Sequence, residues 1–350
     1  MRIAFIISHL GQTGVNVVVR DLVMVFTEHG DECCVFWLKE CGKAMSYGCQ
    51  TERLVDGEQL RGFDVVHAHG LGPMLWVWRH GTPEHALRVT TLHCYCFQDF
   101  TDLYGRVKGT VMGLLFLFLA RKFDRIVCLS KDMMSYYRRW LPMRRLSFVY
   151  NTRILPDSDD PVWTADEVVE RVRTFRGSST LIGMNGVLIF RKGVDLMIGA
   201  LRELVAGGHD VRLVLAGDGK ERGTFEAMVR DAGLEERVLF LGMVKDAWRL
   251  LPEYDIFALP SRSEGFPLAL LEAAVIGKKT VVSDLPIVRE CFHDHMDVEM
   301  FTLADGVNGL KSALLRTVQN EYLGEELHRT FVKNYACEVF YERYKSIYHL

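Results

Sequence analysis

The segment SRSEGFPLALLEAA, residues 261–274, carries two carboxylates eight positions apart, Glu264 and Glu272. Pro267 fits the first turn of a helix, where its missing N–H costs nothing, and LALLEAA is strongly helix-forming. Glu264 is therefore expected on the loop before a helix, and Glu272 inside it. This spacing excludes the usual helical pair at three or four residues. Even along one continuous helix the two would stand about 12 Å apart, beyond the roughly 5–9.5 Å between the two acids of a glycoside hydrolase. Two anchor points on one elongated ligand fit better than an acid–base dyad. Between them, the N–H groups of Gly265 and Phe266 and the positive end of the helix offer a place for an anion.

A second charged group lies in IGMNGVLIFRKGVDLMIGA, residues 182–200, where Arg191 and Lys192 precede Gly193 at a strand-to-helix turn. Two cations there can neutralise a diphosphate, or can simply be a solvated turn. In LGQTGVNVV (10–18), Gly11 and Gly14 would let the backbone approach a ligand at the start of a helix. LAGDGKERG (215–223) holds Gly217, Gly219 and Gly223. Its last spacing is one residue longer than the dinucleotide fingerprint's, and no acidic residue is clearly placed for a ribose. GKKT (277–280) ends like a phosphate loop, yet Glu272 stands where that loop needs its first glycine. His67 and His69 alternate in VVHAH and share one side of a strand, without clear further metal ligands. His93 ends a strand in TLHCY, facing a cleft or merely closing the strand. Patterns of serine hydrolases, zincins and catalytic cysteines do not appear.

The elements that must position these residues are short apolar runs alternating with helical patterns, the signature of parallel βα units. RIAFII, CCVFWL, VVHAH, RVTTLH, RIVCLS and SFVYN read as strands of a first half, with a covering helix over 15–30. STLIGMNGV, VRLVLAGDG, RVLFLG, DIFALP and KTVVSD repeat the alternation. The polar PDSDDP (156–161) marks a boundary within 152–178. Two such halves suggest paired Rossmann-like domains facing one another, with ligands beyond the carboxyl ends of the strands.

With 350 residues the chain is long enough for two domains, and its net charge of -3 supplies no global field for nucleic acid. Nine cysteines, an odd number without CxxC pairs, fit a reducing compartment. The apolar run of MRIAFIISH is too short for a signal peptide. TVMGLLFLFLA (110–120), between Lys108 and Arg121–Lys122, is too short to span a bilayer. It reads as a buried core helix, or as a surface that dips into a cytoplasmic leaflet.

Taken together, these residues resemble the family 4 glycosyltransferases of GT-B fold, over nearly the whole chain. The most specific likeness is in residues 213–290: LVLAGDG, VLFLGMV and YDIFALPSRSEGFPLALLEAAVIGKKTVVSDLPIVRE, where Glu264 and Glu272 match the EX7E signature. VYNTRILP and IVCLSKDM extend it. The resemblance implies an α/β chain with two facing Rossmann-like domains and a cleft between them. Residues 1–165 would form the acceptor domain, 166–335 the donor domain, and 336–350 a helix returning to the first domain.

By the same resemblance, Glu264 contacts donor-sugar hydroxyls and Glu272 binds the nucleotide ribose, with Gly265, Phe266 and Pro267 forming the loop between them. Lys192 serves the diphosphate, Gly11 and Gly14 the first domain's glycine-rich loop, and His93 lies near the reacting sugar. Gly217 and Met243 also fall in donor-binding segments. His93, Lys192 and Glu264 would be catalytic. The family's usual arginine is Val187 here, for which Arg191 could compensate, and the first loop reads GQTG instead of paired glycines.

The implied reaction is transfer of a hexose-like unit, with retention, from a nucleotide sugar to a glycan or lipid-linked glycan in surface polysaccharide synthesis. It requires no cofactor and no divalent metal. The partners implied are the donor, the acceptor and a peripheral membrane contact through 108–122, without nucleic acid. The location is cytoplasmic, at the inner face of the cell membrane. The alternative is a non-catalytic nucleotide-sugar-binding or assembly protein of the same fold.

Overall fold

RIAFII forms β1 (Arg2–Ile7), and its residues Ile3 to Ile7 are fully buried. A strand enclosed on both faces needs such an unbroken apolar run, which is how strands of a parallel sheet read. The computed structural model describes residues 1–42, 44–155, 166–320 and 322–349. PDSDDP (156–161) lies outside the described residues. The chain divides into two units, Met1–Ile154 with Tyr335–Leu350, and Leu155–Asn334.

In the first unit β1 is followed by β2 (Glu32–Trp37), β3 (Gln50–Arg53), β4 (Val65–His69), β5 (Leu87–Leu92), β6 (Arg125–Cys128) and β7 (Leu146–Phe148). They pair in parallel in the order β3-β2-β1-β4-β5-β6-β7. The helices are α1 (Gly14–Glu28), α2 (Leu71–His80), α3 (Cys96–Tyr104), α4 (Arg106–Ala120) and α5 (Lys131–Tyr137). Helix α1 is capped by Thr13, whose hydroxyl accepts from the Asn16 N–H, and it buries Val18, Val19, Leu22, Val23, Val25 and Phe26 against the sheet.

The second unit holds β8 (Thr180–Asn185), β9 (Val211–Ala216), β10 (Val238–Gly242), β11 (Ile256–Leu259), β12 (Thr280–Ser283) and β13 (Glu299–Phe301). All pair in parallel, in the order β10-β9-β8-β11-β12-β13. Its helices are α6 (Asp166–Arg176), α7 (Val194–Ala206), α8 (Arg222–Asp231), α9 (Leu268–Ile276), α10 (Pro286–Cys291), α11 (Gly306–Gln319) and α12 (Leu323–Asn334). The core under α7, α8 and α11 is apolar, with Ile182, Leu201, Leu213, Leu215, Phe225 and Leu310 among its members.

The last helix, α13 (Cys337–Tyr348), belongs to the first unit. Tyr341 and Tyr348 pack on Phe26 of α1, with ring centroids 5.1 and 5.2 Å away. The Tyr348 hydroxyl meets His67 Nδ1 at 2.7 Å, and the Tyr344 hydroxyl meets Thr91 at 3.2 Å. These bonds give the buried Tyr344 and Tyr348 hydroxyls and His67 Nδ1 their partners, while His67 Nε2 meets the Thr91 hydroxyl at 2.8 Å.

The two strands absent from the sequence reading are β3 and β13. QTER of β3 lies on a sheet edge with mostly exposed side chains, and EMF of β13 is too short to show a period. No disulfide occurs among the described residues.

Candidate functional site

Both sheets reverse their strand order once, and in open α/β sheets a ligand crevice opens at that point, beyond the carboxyl ends of the strands. In the second unit the reversal falls between β8 and β11. Lys192 follows β8 and Glu264 follows β11, so two residues 72 positions apart in sequence meet there.

The Lys192 ammonium donates to Glu264 Oε1 at 2.6 Å, and the Ser261 hydroxyl donates to the same oxygen at 2.6 Å. Glu264 is only 8 % exposed, and a carboxylate taken from water to that degree requires such partners. Lys192, expected at a diphosphate, and Glu264, expected at a sugar, pair with each other here. Ser261 was not identified, although it stands three residues before Glu264 in SRSE.

The loops that carry this pair are locked together. Gly193 has φ +73, and a Cβ on it would stand 1.9 Å from the Pro260 carbonyl oxygen. The Arg262 N–H donates to the Arg191 carbonyl at 2.7 Å, and the Arg191 guanidinium donates to the Ser263 carbonyl at 3.1 Å. Arg262 forks onto Asp195 at 2.8 and 2.7 Å, the bidentate geometry that holds two segments in fixed orientation.

Pro267 is the N-cap of α9, with φ -79, so the helix starts at Leu268, one residue later than the sequence suggests. Phe266 and Pro267 are buried, Gly265 is half-buried, and Glu272 is half-buried within α9. Glu264 on the loop and Glu272 in the helix are placed as the sequence indicates.

Of the glycines after β9, Gly217 and Gly219 are held by close backbone contacts, whereas Gly223, whose spacing departs from the dinucleotide fingerprint, has no atom near an added Cβ. Gly217 has φ +155, and a Cβ there would lie 1.8 Å from the Gly186 carbonyl oxygen. A Cβ on Gly219 would lie 2.3 Å from that of Leu188. These glycines pack one loop against another at the carboxyl edge. Gly217 also bridges to Gly242, next to the exposed Met243. Val187, where the family's arginine is absent, is half exposed on the loop that Gly217 contacts.

In the first unit the order reverses between β1 and β4. The loop after β1 is clamped by Asn16, whose amide donates to the carbonyls of His9 at 2.7 Å and Gly11 at 2.5 Å. Gly11 donates its N–H to His9 Nδ1 at 3.0 Å, and Gly14 opens α1. His69 ends β4, and its Nδ1 lies 3.0 Å from Nε2 of His93, just past β5. Burial pushes the His93 pKa down to about 4 and holds His69 and His67 well below the usual imidazole range. All three are therefore neutral near pH 7. The His69–His93 bond was not foreseen. One closes and the other follows one of two parallel neighbouring strands, where residues near the strand ends come side by side.

Among the described residues, Asp294, His295 and Glu299 have ligand-like spacing for a metal. Glu299 begins β13, so the group sits at the amino edge of the sheet, opposite the carboxyl edge that carries Glu264. The His295 nitrogens meet Glu299 at 3.0 Å and Asp294 at 3.3 Å, and Arg316 also pairs with Glu299.

Two parallel Rossmann-like α/β units in one chain, each with its candidate residues at the carboxyl edge, define the GT-B class. A model described as glycosyl transferases group 1 matches residues 167–334, and one described as glycosyltransferase family 4 matches residues 35–152. The chain belongs to the family 4 glycosyltransferases. The O-antigen biosynthesis glycosyltransferase WclY of Escherichia coli is 28% identical, across 99% of this chain and 98% of that protein. The lipopolysaccharide core biosynthesis glycosyltransferase LpsD of Rhizobium meliloti is 30% identical over 58% of this chain and 55% of its own length. Among solved structures, Anabaena HepE in complex with UDP and glucose superposes with a TM-score of 0.80 at 16% identity, covering 100% of both chains. Sucrose-phosphate synthase from Thermosynechococcus elongatus gives 0.81 at 17% identity, over 99% of this chain and 98% of that one.

Proposed function

We propose that this glycosyltransferase moves a hexose-like unit from a nucleotide sugar to a hydroxyl of a glycan or lipid-linked glycan in bacterial surface polysaccharide synthesis. It does so with retention and without a divalent metal. The observation that carries the reading is the Lys192–Glu264 contact at the strand-order reversal, with Ser261 on the same oxygen and Glu272 in the following helix. WclY, an O-antigen enzyme, and HepE, bound to UDP and glucose, support the choice of acceptor and donor classes.

Lys192 stabilises the charge that grows on the departing nucleoside diphosphate, and the N-terminus of α7, which begins at Val194, adds positive potential. Glu264 exchanges its ammonium partner for donor-sugar hydroxyls, and Glu272 takes the ribose hydroxyls. Gly217 and the Gly242–Met243 turn line the donor's side, together with Gly265, Phe266 and Pro267. By the family resemblance, Gly11 and Gly14 of the first unit are the residues proposed for the diphosphate and His93 the one proposed for the sugar. A neutral His93 contributes a hydrogen bond, not a charge.

The acceptor hydroxyl oxygen bonds to the anomeric carbon as the carbon–oxygen bond to the diphosphate breaks on the same face. The hydroxyl proton passes to the leaving diphosphate oxygen. No covalent glycosyl-enzyme is invoked. The cations of Lys192 and Arg191 serve where a divalent ion would otherwise offset the diphosphate charge.

Purified protein is incubated with UDP-, GDP-, ADP- and dTDP-sugars, with membrane lipid extract and excess chelator. Release of one nucleotide, and a product with the donor's anomeric configuration by NMR, is the expected result. Release abolished by chelator and restored by a divalent cation, or an inverted product, contradicts the mechanism.

A further inference from the structure

Helix α4, RVKGTVMGLLFLFLA, is apolar on two faces. Its inner face holds Gly109, Gly113, Phe116, Leu117, Leu119 and Ala120. An added Cβ on Gly109 would stand 2.5 Å from the backbone of Phe100 and Thr101, and one on Gly113 2.6 Å from the Phe97 ring. Small residues therefore seat α4 closely on α3. A second set of large apolar side chains lies on the opposite, exposed side.

Val107, Val111, Leu114, Leu115 and Phe118 are 82%, 61%, 57%, 37% and 44% exposed. Their spacing is that of a single helical stripe. Leu75 and Trp78 of α2 and Leu103 and Tyr104 of α3 are exposed as well, and the Trp78 ring meets Phe118 edge-on with centroids 5.7 Å apart. A joined apolar surface of this kind marks an interaction site.

Its charge selects the partner. Arg106 and Lys108 stand at one end of the stripe and Arg121 and Lys122 at the other, and α4 carries no carboxylate. The carboxylates of α2 to α4 are Asp99 and Asp102 on α3, and Asp99 already accepts the Tyr95 N–H. The ammonium groups of Lys108 and Lys122 lie over the rings of Tyr104 and Phe118 at 5.1 and 5.0 Å. Such side chains lay their stems on apolar surface while the charged heads reach polar surroundings.

We propose that the outward face of α4, with Trp78 and Leu75 of α2 and Leu103 and Tyr104 of α3, docks on an anionic lipid bilayer with α4 lying in the plane of the interface. Among the described residues no helix is long and apolar enough to cross a membrane. A second copy of the chain is the poorer occupant. In a two-fold contact of α4 on α4, antiparallel packing sets Arg106 and Lys108 against Arg121 and Lys122, and parallel packing sets each cation against its own kind. Lipid phosphates meet the cations at both ends. The proposal extends the reading of a lipid-linked acceptor, but rests on this face alone and not on the donor chemistry.

The protein is floated, without donor, with vesicles of phosphatidylcholine alone and of phosphatidylcholine with phosphatidylglycerol. At least tenfold enrichment on the anionic vesicles is expected, falling with added salt, lost in Leu114→Glu/Phe118→Glu and reduced in Lys108→Glu/Lys122→Glu. Should the first variant fail to fold, the second, which changes only exposed charges, decides. Nucleotide release from donor with a water-soluble acceptor is measured in parallel and should stay at the wild-type level in both variants. Its failure in the wild type would count against the donor reading and leave the docking result intact. Wild-type protein that stays unbound with both vesicles, or variants that float as well as wild type, would overturn the proposal. So would a wild-type dimer that Leu114→Glu/Phe118→Glu converts to monomer with no vesicle binding in either form.

Discussion

Lys192 Nζ lies 2.6 Å from Glu264 Oε1, across a separation of 72 residues, and Ser261 donates to that same oxygen. Truncation in Lys192→Ala leaves the buried Glu264 carboxylate with the serine hydroxyl, at an expected cost of about 1–3 kcal/mol. Glu264→Gln keeps the shape and should cost less stability, but lowers turnover about 100-fold or more if the carboxylate acts in the transition state. Thermal melts and turnover of the single and double variants check both effects. The double variant should be more stable than the sum of the singles implies, since removing both charges leaves neither unpaired.

Gly193 and Gly217 fix the loops around that pair through positive φ angles and carbonyl contacts that a Cβ would occupy. Gly193→Ala and Gly217→Ala should each lose about 1–3 kcal/mol from backbone strain, with the steric clash adding to it. Melting temperatures measure the loss. Gly223→Ala, with no atom near the added Cβ, is the control and should melt close to wild type.

The three buried histidines predict a pH dependence. Their folded pKa values are depressed, His93 to about 4, so the unfolded chain binds protons more readily below its ordinary histidine pKa near 6.5. Their stabilising contribution is present above pH 6.5 and is lost as pH falls from there through the folded values. The slope per histidine is at most about 1.4 kcal/mol per pH unit. Denaturant midpoints from pH 7 to pH 5 should fall. His93→Gln should flatten the slope.

His69 positions His93 through their 3.0 Å bond. His69→Leu should lower kcat about tenfold while leaving the donor KM unchanged, because the second unit's contacts remain. His69→Asn, whose amide can take the place of Nδ1, should recover part of the rate. A purely packing role would give the opposite order, since leucine suits a buried position better than asparagine.

Much of this architecture is legible in the sequence because buried parallel strands must be continuous apolar runs, as IAFII of β1 and LVLA of β9 are. Edge strands escape that rule, which is why QTER of β3 gives no signal. Glu264 and Glu272 are legible because a loop and a proline-started helix separate them. Ser261 and His69 are not, since their importance comes from contacts made only when distant loops converge. The sequence of 110–120 fits either a buried helix or a lipid-facing one. Gly109, Gly113, Phe116, Leu117 and Leu119 face inward, while Val111, Leu114, Leu115 and Phe118 stay exposed, so the helix is buried on one face and apolar on the other.

In the proposed function the carboxyl edge of the second unit binds the nucleotide sugar, with Glu264 at the sugar and Glu272 at the ribose. Titration calorimetry of the donor's nucleoside diphosphate, paired with turnover of the same preparations, tests it most directly. Glu272→Ala should weaken nucleotide binding at least tenfold, whereas Glu264→Gln should bind nucleotide within about threefold of wild type and lose turnover. Wild-type affinity and wild-type turnover in both variants would contradict the account.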